Sequence, residues 1–138
     1  MKKKIIIVCS VIIVIFCVMV FYISFIGTKP FKELEVNEIE RIVMHCAPDN
    51  QEVELSKEEQ QKVVDLLQDV VIYNRTFQHK FYGGTLYYYT IVKRDGTKVE
   101  VTFSDQFIII DRKAYRTKNE YWNEVNALES ELGDKYFD

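Results

Sequence analysis

The sequence predicts an α+β domain carried behind a single membrane-spanning helix. Three observations predict it: an uncharged run over residues 5–26, a series of short β-branched and aromatic segments separated by turn residues, and two helix-start motifs at Ser56 and Thr117. The expected order after the span is β-α-β-β-β-β-α, an antiparallel sheet with two helices on one face.

Apolar residues make up 48% of the 138-residue chain, and only Ser10 and Ser24 interrupt them between residues 5 and 26. As a helix rising ~1.5 Å per residue, this run covers roughly 33 Å, enough for a hydrocarbon core of ~30 Å. A helix also satisfies every backbone polar group within one segment. Lys2, Lys3 and Lys4 precede the run, and the positive-inside rule keeps them cytoplasmic. The expected division is residues 1–4 in the cytoplasm, 5–26 in the bilayer, 27–37 as a tether and 38–138 as an extracytoplasmic domain. The chain is then a single-pass protein of the cell membrane.

Processing signals are missing from this segment. A signal-peptide cleavage site needs a pair of small residues after a shorter apolar run, whereas this run closes on Tyr22, Ser24, Phe25 and Ile26. Cys17 follows Val14, Ile15 and Phe16 in mid-span, which does not suit lipidation. No pilin-like Gly followed by an apolar stretch with Glu occurs. An uncleaved signal anchor is the expectation.

All 21 acidic residues follow residue 26, and 15 of the 18 basic residues accompany them, a net charge of −6 outside. An acidic domain is a poor nucleic-acid binder and is unsuited to lying flat on anionic lipid. Many Lys, Ile, Asn and Tyr with few Ala and Arg is the bias of AT-rich codons, which points to a low-GC Gram-positive bacterium. Cys9 and Cys17 fall in the span, so Cys46 has no intradomain partner and is expected as a small buried hydrophobe.

Residues 38–46, rich in β-branched residues and partly apolar on both faces, read as a central strand and stop at Ala47-Pro48-Asp49-Asn50, a turn cluster. Ser56-Lys57-Glu58-Glu59 is a capping box, after which Val63, Leu66, Leu67, Val70 and Val71 recur at helical spacing. Strands follow at 72–77, 86–93, 98–103 and 107–110, with the hairpin signal Asp95-Gly96 between 86–93 and 98–103. Thr117-Lys118-Asn119-Glu120 is a second capping box. The helix it opens carries Tyr121, Trp122, Val125, Leu128 and Leu132, with Gly133 placed to end it.

Chemistry is sparse. No G-x-S-x-G, H-E-x-x-H, C-x-x-C or phosphate-cradling glycine loop occurs, so neither an enzyme nor a cofactor is expected. His45, Cys46 and His79 make a poor metal set, because adjacent strand residues point to opposite faces. Aromatics are dense instead: Tyr73, Phe77, Phe81, Tyr82, Tyr87, Tyr88 and Tyr89 fall close together with Arg75, His79 and Lys80.

Which tyrosines are available for contact depends on the hairpin register. A two-residue Asp95-Gly96 loop sets Tyr88, Thr90 and Val92 inward opposite Phe103, Val101 and Val99, leaving Tyr87, Tyr89 and Ile91 outside. A three-residue loop that includes Arg94 reverses the faces. The two-residue loop is preferred, since it also points Lys93 outward. The expected binding face is then Tyr87, Tyr89 and Ile91 with Phe81 and Tyr82, tyrosine being a good contact residue. Strand propensity alone also accounts for half-exposed tyrosines.

The Lys-rich start and apolar span, the Leu-Ser-x-x-Glu helix opening at residues 55–59, Asp95-Gly96, and the Ile-Ile-Ile-Asp run leading to Ala114-Tyr115 together resemble a broad group. It comprises the small, uncharacterised single-pass or lipoprotein-like proteins of low-GC Gram-positive bacteria. The resemblance implies a cell-envelope protein and carries no activity, ligand or site. The functional expectation is a membrane-anchored extracytoplasmic binding module, held by the lipid bilayer and contacting an envelope protein or wall component. The alternative is an accessory subunit of an envelope complex that meets its partners through the span.

Overall fold

Strand propensity and turn chemistry produce most of the elements at the expected places. The computed structural model describes residues 1–77 and 84–138. Helix α1 (Lys2–Phe25) leads to β1 (Ile39–Ala47), β2 (Gln51–Glu54), α2 (Lys57–Asp69) and β3 (Arg75–Thr76). The chain continues through β4 (Leu86–Lys93), β5 (Lys98–Phe103), β6 (Phe107–Ile110), β7 (Lys113–Arg116) and α3 (Trp122–Tyr136). Among the described residues the strands form one antiparallel sheet in the order β2-β1-β4-β5-β6-β7-β3. The fold is α+β behind an N-terminal apolar helix, as expected.

Helix α1 is long and apolar enough to cross a membrane, and none of its residues is buried against the domain. The core lies between one sheet face and helices α2 and α3. Ile42, Met44, Tyr89, Ile91, Val101, Phe103 and Ile108 meet Val63, Leu67, Val125 and Leu132 there, each buried aliphatic contributing ~1.5–3 kcal/mol before entropy. A bulge in β1 between Ile39 and Arg41 lets Ile39 and Ile42 both point into this core.

The capping box at Ser56 forms. The Ser56 hydroxyl accepts from the Glu59 amide at 3.3 Å, and the Glu59 carboxylate accepts from the Ser56 amide at 2.8 Å. Lys57 Nζ donates to the carbonyls of Ile39 and Glu40 at 3.4 and 3.1 Å, so the start of α2 covers part of the β1 edge.

Several expectations are corrected. Strand β2 is additional: Asn50, at φ 52°, closes the turn after β1, and Gln51 pairs with Cys46. Strand β7 is also additional, and β3 is shorter than residues 72–77 because it finds its ladder only on β7. Helix α2 ends at Asp69, since Val70 is already extended. The capping box at Thr117 does not form; the Thr117 hydroxyl instead meets the Tyr121 hydroxyl at 3.0 Å, and a 3-10 turn precedes α3. Gly133 lies inside α3, because the Tyr87 hydroxyl rests where a Cβ would stand.

Residues 27–37 are packed rather than a free tether. Thr28 exchanges both backbone hydrogen bonds with Ile72 at 2.8 Å, and Leu34 is buried. Gln68 Nε2 donates to the Leu34 carbonyl at 2.6 Å. Leu34 and Phe31 supply the apolar anchors that the Gly, Pro and charge of this segment obscure in the sequence.

Candidate binding face

The β4–β5 hairpin decides which side chains face outward. Tyr89 pairs with Val101, Ile91 with Val99 and Val92 with Lys98, leaving a three-residue loop of Arg94, Asp95 and Gly96. Gly96 at φ 88° takes the left-handed position, and its amide donates to the Lys93 carbonyl at 3.0 Å. Asp95 Oδ1 accepts from the Thr97 amide at 2.9 Å and the Thr97 hydroxyl at 2.6 Å. A two-residue loop of the favoured kind needs positive φ at Asp95 as well, and only Gly96 adopts it. The side-chain hydrogen bonds of Asp95 favour the longer loop.

The expected contact set is therefore overturned for its strand members. Tyr89 and Ile91 are buried in the core, and Tyr87 packs against it with its ring stacked on Phe137 at 5.9 Å. Burial raises the Tyr87 and Tyr89 hydroxyl pKa values, Glu129 adding to both shifts. Phe81, Tyr82 and His79 lie outside the described residues. His45 and Cys46 point to opposite faces as expected, Cys46 inward and buried with its thiol pKa raised by burial and by Asp49 and Asp138.

Tyr88 and Thr90 emerge half-buried on the face away from the helices, with Val92 buried beside them on the same face. Beside them on β1 stand Arg41, Val43 and His45, and on β2 Glu52 and Glu54. The His45 ring lies flat on Tyr88, with centroids 4.5 Å apart and planes 5° from parallel. His45 Nε2 is 3.0 Å from Thr90 Oγ1, and Nδ1 is 3.4 Å from Glu52 Oε2. Two neighbouring strands thus fix one imidazole of β1: β4 supplies the ring beneath it and the hydroxyl at one nitrogen, and β2 the carboxylate at the other. Around it runs a shallow groove of about 470 Å³, with Arg41 and Lys98 contributing positive charge and Glu52 and Glu54 negative charge.

The hydroxyl, imidazole and carboxylate follow the order of a nucleophilic triad. Thr90 sits in a strand paired on both sides, opposite Val43 and Glu100. Its neighbouring amides lie within the paired part of the sheet. Among the described residues no group of three or more His, Cys, Asp or Glu could hold a metal ion.

The sequence reading missed His45, Thr90, Glu52 and Arg41 as a site. Outward alternation of Arg41, Val43 and His45 was the available signal, but β2 went unrecognised, and without it Glu52 has no place beside His45. Comparison with protein-family models, curated proteins and solved structures finds no match to this chain.

Proposed function

We propose that the chain is a membrane-anchored binding module that recognises an envelope protein or wall component through the sheet face around His45 and Tyr88. Helix α1 is read as the span, with Lys2, Lys3 and Lys4 cytoplasmic and the α+β domain outside. The observation that carries the recognition surface is the groove on the helix-free face, where His45, fixed on the Tyr88 ring, is ringed by both signs of charge. Such a surface offers flat contact area at little entropic cost, and its mixed charges select register. Binding rather than catalysis is the reading, because Thr90 is paired on both sides within the sheet.

Site-specific photocrosslinking in intact cells tests this. A photoreactive residue at Val43 or Tyr88 in the full-length chain should give one discrete adduct, while the same residue at Gln61, exposed on α2, should not. Adducts from Gln61 alone, or none from the sheet face, would contradict the proposal.

A further inference from the structure

The chain leaves α1 without a flexible joint. Gly27 turns at φ 76° against Val71, the Ile72 carbonyl and Tyr73, and Thr28 immediately bridges to Ile72. In the last turn of α1, Ser24 Oγ donates to Asn74 Oδ1 at 3.3 Å. The segment from Val71 to Asn74 is therefore held at the end of the helix, and Arg75 and Thr76 continue from it onto β7. Asn74 and Tyr73 in turn exchange backbone hydrogen bonds with Arg116, which ties β7 to the same place.

This edge has an unusual surface. Phe77 is 82% exposed, and every other large hydrophobic side chain exposed among the described residues belongs to Met1, to α1 or to Ile26, which caps it. Arg75 lies over the Phe77 ring at 5.0 Å, and Lys118 lies over the Tyr73 ring at 5.6 Å. An aromatic body with a cation across its face suits the boundary between acyl chains and phosphates.

We propose that Tyr73, Arg75, Phe77 and Lys118 form a lipid-docking edge that sits in the headgroup layer of the bilayer crossed by α1. The proposal rests on the reading of α1 as a span. Phe77 is three residues beyond Asn74, at most ~10 Å along an extended chain. The headgroup layer on each side of the hydrocarbon is itself roughly 5–8 Å deep. With Ser24 at that boundary, the edge is within reach of lipid without any rearrangement. The net acidity of the domain keeps the rest of it off an anionic surface, while Arg75 and Lys118 give this edge the opposite sign. Six interstrand steps of ~4.8 Å then place β2 roughly 29 Å across the sheet from the docked edge, leaving the groove accessible.

Tryptophan depth quenching of the full-length chain in vesicles provides the test. Trp122 is the one native tryptophan, so reporters are introduced in a Trp122→Phe background. Phe77→Trp reports the edge, Tyr22→Trp the span, and Glu52→Trp the far edge of the sheet. Vesicles of phosphatidylcholine and phosphatidylglycerol carry a headgroup nitroxide or bromines shallow in the acyl chains. The expected result is a blue-shifted Phe77→Trp emission quenched about threefold more than Glu52→Trp, with Tyr22→Trp quenched by the acyl bromines. In addition, Arg75→Glu with Lys118→Glu should reduce the Phe77→Trp quenching. Quenching of Tyr22→Trp with Phe77→Trp no higher than Glu52→Trp overturns the docking edge and leaves the anchor standing. Absence of quenching at Tyr22→Trp overturns the anchor itself and the proposal with it.

Discussion

Tyr88 and Tyr89 are chain neighbours that end on opposite faces of the sheet, Tyr88 stacked on His45 and Tyr89 enclosed against Phe103 with ring centroids 5.7 Å apart. Their truncation should therefore differ sharply. Tyr89→Ser removes a fully buried ring and should cost ~3–5 kcal/mol, whereas Tyr88→Ser should stay within about 1 kcal/mol. Thermal melts of the two variants in detergent check this ordering, and the reverse ordering would restore the two-residue hairpin register.

Glu129 should make the protein less stable in mild alkali. Its Oε1 is buried without a hydrogen-bond partner among the described residues, and burial raises the carboxyl pKa to about 8. A carboxyl raised above its unfolded value of about 4.3 favours the fold fully below that value, and the advantage drains away as pH rises to 8. The loss should be on the order of 3 kcal/mol between pH 5 and 8. Glu129→Gln should flatten that slope, as denaturant unfolding across the range will show.

Glu59 acts in the opposite direction. Burial alone raises its pKa, but Lys135 Nζ at 2.6 Å, the Ser56 amide and the Tyr136 hydroxyl outweigh this and hold it at about 2. Stability from a lowered carboxyl is complete above its unfolded pKa and lost as pH falls from about 5 to 2. Glu59→Gln should lose about 2 kcal/mol at neutral pH and show a weaker acid transition. Circular dichroism during acid titration reads both.

On the proposed reading of α1 as a span, the two ends of the chain lie on opposite sides of the membrane. A cysteine introduced at the exposed position Asn126 should react with an impermeant maleimide in intact cells, while Cys46 remains buried. Labelling that requires lysis would place the domain inside. The intact mass of the membrane form should also include Met1, or the residue after it, rather than begin beyond residue 26.

Local signals made much of this fold legible. Ser56 and Glu59 specify a helix start through their own side chains, and the segments 86–93, 98–103 and 107–110 appear as strands with those bounds. What stayed hidden depends on distant partners. Gln51–Glu54 is too short and polar to announce a strand without β1 beside it. Gly133 reads as a helix stop until Tyr87 is seen to occupy its space. The hairpin register, and with it the binding face, turned on Asp95 bonding to Thr97. Phe81 and Tyr82, the remaining expected contact residues, fall outside the described residues.

The most direct test of the central claim is co-purification of the tagged full-length chain from native membranes after chemical crosslinking, comparing wild type with a His45→Ala and Tyr88→Ser double variant. Thermal melts of both proteins are measured alongside. The account predicts that the double variant melts within a few degrees of wild type, a shift corresponding to about 1 kcal/mol or less, yet loses the crosslinked partner. Retention of the same partner by a double variant of unchanged stability, or by α1 alone, would contradict recognition through the sheet face.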